Sequence, residues 1–239
     1  MIARIAAAVA AASIAFAPTA VASPPAPPSP IIPPPVQPAN IGDLKTEARA
    51  YYGSGAYLTD LQQAAWPAIP WIIERAPLVD RPAVVFDIDE TSLSNYEALK
   101  ANDFGRIVAG PCELPGGPCG LQDWDLLAES TLIPPTMDVF NTAKDRGAAI
   151  FFITGRPESQ RAATERNLAD VGYTGYSRLI MKPTGGHFGS AADFKAPARQ
   201  SISADGYTII ANMGDQPSDL DGGFAERTFL LPNPFYRIP

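Results

Sequence analysis

Histidine and cysteine are nearly missing: the 239 residues contain one His and two Cys. The histidine, His187, stands in Gly185-Gly186-His187-Phe188-Gly189, a loop-like setting without the charged neighbours that a nucleophilic histidine needs. A zincin requires two histidines on one helix and a zinc ribbon four Cys or His ligands, so both are excluded. Neither Cys112 nor Cys119 opens a Cys-x5-Arg loop, which removes the cysteine phosphatases. A Gly-x-Ser-x-Gly elbow and a P-loop are also missing. Positive charge is in short supply, with 18 Lys and Arg against 25 Asp and Glu. The resulting net charge of -7 argues against nucleic acid or an anionic membrane as the main partner. Chemistry in this chain falls to Asp, Thr, Lys and a hard metal ion.

A long hydrophobic run is missing too. Residues 1–22 read as a secretory signal peptide: Arg4 is the positive start, 5–17 the apolar segment and Ala20-Val21-Ala22 the small-residue cleavage site. The apolar stretch falls short of the roughly twenty residues a spanning helix needs, and Pro18 interrupts it. The expectation is a secreted or cell-envelope protein without stable membrane insertion after cleavage; a retained anchor is the alternative. Residues 23–40 are dense in proline and lack charge until the domain begins, which favours an extended linker.

From 41 onward the pattern is that of a folded domain. Leu44, Ala48 and Tyr51 recur at helical spacing, as do Tyr57, Leu61, Ala64 and Ala65 after the Gly53-Ser54-Gly55 break, and Pro67 and Pro70 should kink or end that helix. Short apolar strands are expected over 83–87, 148–153, 179–181, 208–212 and 228–231. Helices should lie between them over 91–99, 137–144, 157–170 and 194–203, the third beginning on a first-turn proline. The stretch 102–134 reads as an irregular insert. Strands alternating with helices argue for a Rossmann-like α/β fold, its parallel sheet covered on both faces. Ligands in such sheets sit beyond the carboxyl ends of the strands. In an exported protein Cys112 and Cys119 are expected to pair, free thiols being the alternative.

Three polar signals occur at strand ends of that kind: Asp87-Ile88-Asp89, Thr154-Gly155-Arg156 and Gly214-Asp215. Side chains two apart on a strand point the same way, so Asp87 and Asp89 should converge, and two buried carboxylates need a cation or a proton between them. Alone, Asp-x-Asp is equally a helix cap or an acidic turn, and Thr154 equally a helix cap. Together, the Val84-Val85-Phe86-Asp87-Ile88-Asp89-Glu90-Thr91 stretch and its partners resemble the haloacid dehalogenase (HAD) superfamily of phosphohydrolases. Ser94-Asn95-Tyr96, Gly214-Asp215-Gln216-x-Ser218-Asp219-Leu220 and Leu231-Pro232-Asn233-Pro234-Phe235-Tyr236 are similar to its secreted acid phosphatases, the class B and plant vegetative storage protein group.

That resemblance implies roles. Asp87 would be the nucleophile that forms an aspartyl-phosphate, and Asp89 the acid for the leaving group and then the base for water. Mg²⁺ would be held by Asp87, the backbone carbonyl of Asp89, Asp215 and the supporting acid Asp219. Thr154 and the Gly155 amide would hold phosphate oxygens at a helix start. Lys195, in Phe194-Lys195-Ala196-Pro197-Ala198-Arg199, would be the phosphate lysine; Lys182, which also follows a strand, competes with it. A small cap over about 97–134 would leave the site open to varied phosphomonoesters, nucleotides included if Trp124 and Tyr236 form an aromatic platform; core packing is the other reading of both. A non-catalytic exported storage or binding protein on the same fold is the competing function.

Overall fold

The computed structural model describes residues 38–238. The expected signal peptide and nearly all of the proline-rich linker lie outside the described residues. Among the described residues three helices come first: α1 (Ile41–Gly53), α2 (Ala56–Ala65) and α3 (Ala68–Arg75). Asn40 caps α1, its side-chain oxygen accepting from Gly42 N at 2.8 Å. Gly55, at φ 82°, turns the chain into α2, a conformation that glycine adopts without steric cost. Pro67 separates α2 from α3 as expected, but Pro70 neither kinks nor ends a helix. It falls in the first turn of α3, where the missing N–H would have had no helical partner.

The remaining elements follow in order: β1 (Pro82–Phe86), β2 (Leu93–Ser94), α4 (Tyr96–Ala101), α5 (Leu121–Leu127), β3 (Thr131–Leu132), α6 (Pro134–Asp145) and β4 (Ala149–Pro157). Then come α7 (Arg161–Asp170), β5 (Arg178–Lys182), α8 (Ala192–Ala204), β6 (Thr208–Gly214), α9 (Pro217–Leu220) and β7 (Thr228–Leu230). A five-stranded parallel sheet runs β5-β4-β1-β6-β7. Its central strand is β1, the apolar run that precedes Asp87, with Val84 opposite Ile150 and Val85 opposite Phe151.

Alternation along β1 divides the core in two. Val84 and Phe86 face a large cluster with Leu61, Ile72, Phe140 and Leu168, contributed by α2, α3, α6 and α7. Ala83 and Val85 face a smaller one closed by Ala198 and Ile202 of α8. Both faces are therefore covered, unevenly, as an α/β sheet requires.

Two local expectations differ from the structure. The stretch 102–134 is not irregular throughout: it contains α5, and β3 pairs antiparallel with β2, Leu93 opposite Leu132. Cys112 and Cys119 are joined by a disulfide just before α5. The helix expected from Pro157 begins only at Arg161, because β4 continues to Pro157 and a short 3₁₀ turn intervenes. No helix among the described residues is long and apolar enough to cross a membrane.

Candidate active site

The strand order brings the ends of β1, β4 and β6 side by side, so their terminal residues surround one cleft of about 760 Å³. β1 stops at Phe86, and Asp87 is the first residue past it. Asp87 N still donates to Met213 O on β6 at 2.9 Å, which locks its position. Beyond it the chain turns tightly: Ser92 N and Leu93 N both donate to Ile88 O, and Glu90 takes a φ of 54°. The same-face argument for Asp87 and Asp89 therefore needs correction. Asp89 reaches the cleft through a turn, not along a strand.

At the floor, oxygens of Asp87, Asp215 and Asp219 lie within 4.8 Å of one another, and all three residues are buried. Lys195, from α8, donates to Asp87 and to Asp219, the latter at 2.6 Å. Burial pushes Asp87 well above the usual carboxylate range; the Lys195 charge opposes this, while Asp219 and Asp215 reinforce it. Burial likewise raises Asp215 to about 7, helped by the charges of Asp219 and Glu90. For Lys195 burial alone would favour loss of its proton, but Asp219 and Asp87 outweigh it and hold the ammonium charged. Three oxygen donors in this arrangement fit a hard divalent cation.

Asp89 is held apart from that group. Arg156 Nη2 donates to Asp89 Oδ1 at 2.6 Å and lies 3.2 Å from Asp125 of α5; Asn95 Nδ2 donates to the same Asp89 oxygen at 2.9 Å. Burial would raise the Asp89 carboxyl, but Arg156 and Asn95 outweigh it and hold the group below its ordinary value. Asp125 goes the other way, to about 7, because burial exceeds the opposing pull of Arg156.

Of the other expected residues, the structure brings some to the cleft and leaves some out. Gly155 and Tyr236 line it. Thr154 does not: it is 0% exposed, and its hydroxyl accepts from Arg156 N at 3.1 Å. Nor does a helix start there, since Thr154 and Gly155 stay within β4. Lys195 meets Asp87, whereas Lys182 lines the outer cleft at the end of β5. Trp124 is corrected to its packing reading. At 3% exposure it sits among Ala98 and Cys119, with its indole N–H donated to Asn95 at 2.8 Å.

Four residues make contacts at the cleft that the linear pattern did not reveal. Arg156 was legible only as a cation next to Thr154-Gly155. Asn233 and Gln216 donate to Asp215 Oδ2 at 2.7 and 2.5 Å and hold that carboxylate in place. Asn233 belongs to the Leu231-Pro232-Asn233-Pro234 stretch, which offered a signal without a role. Glu90 accepts from Asn95 N at 2.7 Å and from the Tyr236 hydroxyl, and burial lifts it to about 8.

A family model, that of the HAD superfamily, subfamily IIIB (acid phosphatase), matches residues 35–239. The chain belongs to this family. Among curated relatives, acid phosphatase 1 of Solanum lycopersicum is 30% identical over 159 residues, 66% of this chain and 60% of that protein. The stem 28 kDa glycoprotein of Glycine max is 35% identical over 157 residues, 64% of this chain and 59% of that one. Vegetative storage protein 1 of Arabidopsis thaliana is 31% identical, covering 65% and 55% respectively. The match thus spans less than two thirds of the length of each relative. Among solved structures, the class C acid phosphatase from Bacillus anthracis superposes with a TM-score of 0.62 at 20% identity. It covers 82% of this chain and 86% of that one, a likeness of fold.

Proposed function

We propose that this subfamily IIIB chain is an exported, Mg²⁺-dependent acid phosphatase that hydrolyses phosphomonoesters through an aspartyl-phosphate on Asp87. The observation that carries the reading is the cleft floor, where a buried Asp87 shares one spot with Asp215, Asp219 and the Lys195 ammonium. Phosphoryl transfer needs an in-line nucleophile, neutralisation of the equatorial oxygens and a proton for the leaving oxygen. Asp87, Asp215, Asp219 and the Asp89 carbonyl would hold the ion. When bound, it would offset the charge that phosphate and carboxylates bring together.

The chain's own groups divide the remaining work. An Asp87 oxygen forms a bond to phosphorus as the ester P–O bond breaks. Lys195 and the Gly155 amide stabilise the phosphate oxygens. Asp89 gives a proton to the departing alkoxide, which leaves as the alcohol; it then takes one from the water whose oxygen bonds to phosphorus as the Asp87 O–P bond breaks, releasing inorganic phosphate. In the free protein Arg156 draws Asp89 toward its ionised form. An arriving phosphate dianion raises the affinity of Asp89 for a proton again, so the acid is loaded as substrate binds.

On this reading residues 41–239 are the phosphatase domain, with a small cap over about 97–134, and residues 1–22 and 23–40 serve export and tethering. Purified protein should hydrolyse p-nitrophenyl phosphate at mildly acidic pH, lose that activity to thorough chelation and regain it with Mg²⁺. Full activity in metal-free protein would refute the metal requirement. A second reading, a non-catalytic storage or binding protein, is favoured by one finding, the relatives named as vegetative storage proteins and stem glycoproteins. It is the reading to adopt if metal-loaded protein turns over no phosphate ester at all.

A further inference from the structure

Asp89 is held by two groups that reach the same oxygen. Arg156 Nη2 and Asn95 Nδ2 donate to Asp89 Oδ1 at 2.6 and 2.9 Å. The other oxygen, Oδ2, has among the described residues only Arg156 Nε, at 3.3 Å. Asn95 and Arg156 are in turn both met from one helix. Trp124 and Asp125 are consecutive residues of α5, and they stand behind Asn95 and Arg156 respectively. Consecutive side chains on a helix point about 100° apart, so one short helix can grip Asp89 from two sides.

On the first route, the Trp124 indole N–H donates to Asn95 Oδ1 at 2.8 Å and the Ser130 hydroxyl donates to the same oxygen at 2.7 Å. An amide whose oxygen is taken by two donors cannot exchange its ends, so Nδ2 must face the carboxylates. On the second route, Asp125 Oδ1 lies 3.2 Å from Arg156 Nη2. The guanidinium is caught between two carboxylates, and its planar fork cannot swing away from Asp89. Asn95, Trp124, Asp125 and Arg156 are all buried, so water cannot replace a lost partner. The helix itself is fixed to the body of the domain: Gln122 O and Leu126 O accept from Gln160 and Arg166 at 3.0 and 2.9 Å, both from the segment that follows β4.

We propose that Trp124 and Asp125 are positioning residues for the acid: through Asn95 and Arg156 they hold Asp89 Oδ1 and leave Oδ2 for the oxygen of the departing alcohol. This rests on the phosphatase reading above. It gives α5, and with it the 102–134 segment, a part in proton delivery besides covering the cleft.

A displaced acid fails only where the leaving oxygen needs a proton, and that separates positioning from general damage to the fold. Asp125→Asn keeps the shape and removes the charge; Trp124→Phe keeps a buried ring and removes the N–H. Single-turnover phosphorylation of the Mg²⁺-loaded full chain would be followed over a range of glycerol phosphate and p-nitrophenyl phosphate concentrations. Each variant should lower the maximal rate with glycerol phosphate by about 10- to 100-fold, the cost of misplacing a group at the chemistry. The half-saturating concentration should not move, and the rate with p-nitrophenyl phosphate should change little. If Trp124→Phe does not fold, Ser130→Ala, which takes the other donor from Asn95, replaces it. Equal slowing of both esters, a loss confined to the half-saturating concentration, or a wild-type rate with glycerol phosphate in either variant would overturn the proposal. No phosphorylation of the wild type by p-nitrophenyl phosphate would refute the phosphatase reading, and this inference with it.

Discussion

At Asp87 two opposed demands meet in one carboxylate. Burial and three neighbouring acids favour its neutral form, while a nucleophile must be ionised; Lys195 is the local cation that works in the second direction. Asp87→Asn preserves shape and replaces the nucleophilic carboxylate with a neutral amide. It should abolish turnover with circular dichroism unchanged, and activity within about tenfold of wild type would defeat the assignment. Asp89 is tested by its dependence on the leaving group. An alkyl alcohol departs as a basic alkoxide that needs a proton, whereas nitrophenolate needs little help. Asp89→Asn should slow single-turnover phosphorylation of the protein by glycerol phosphate by roughly 10²–10⁴-fold, and by p-nitrophenyl phosphate much less. Equal slowing of both would mean that Asp89 acts through charge or geometry alone.

The junction of β6 and α9 shows how an element serves the site. Gln216 and Asp219 form a capping box at the start of α9, with Gln216 N donating to Asp219 Oδ2 at 2.9 Å. This turns one oxygen of Asp219 toward its own helix and leaves the other for Lys195. The turn closes tightly enough that a Cβ on Gly214 would stand 2.4 Å from Asp219 Cβ and 2.6 Å from its Oδ2. Gly214→Ala must therefore push Asp219 out of its bonds to Gln216 N and Lys195. Destabilisation of about 1–3 kcal/mol is expected from overpacking. Mg²⁺ affinity should fall with it, read by calorimetry on the folded variant. Wild-type affinity in that variant would show that Asp219 is dispensable for the ion.

Across the whole molecule, several buried acids have carboxyls raised by burial: Glu90 to about 8, and Asp125 and Asp215 to about 7. A raised carboxyl binds its proton in the folded state at pH values where the unfolded chain has lost it. Its contribution is fully present below the unfolded value and is lost as pH rises through the folded one. Metal-free protein should accordingly show a higher urea midpoint near about pH 5 than near about pH 8.5, and Glu90→Gln should flatten that difference. A midpoint that rises over this interval would contradict the burial argument. Asp89 has the opposite shift and takes stability away only as pH falls through its lowered value.

What could be read along the chain was whatever neighbours in sequence decide. Apolar runs marked the strands, and polar residues directly after them marked Asp87, Thr154-Gly155 and Asp215, because a parallel sheet aligns its strand ends whatever the loops between them do. Lys195 and Asp219 followed from resemblance. The rest depended on contacts that sequence separation hides. Arg156 finds Asp89 across 67 positions and Asn233 finds Asp215 across 18. Trp124 and Phe188 are both large and aromatic, yet one is 3% exposed and the other 42%. No local pattern distinguishes them. Only the folding of the 102–134 segment against α4, and of the glycine loop against α8, decides which ring is packed away and which faces the cleft.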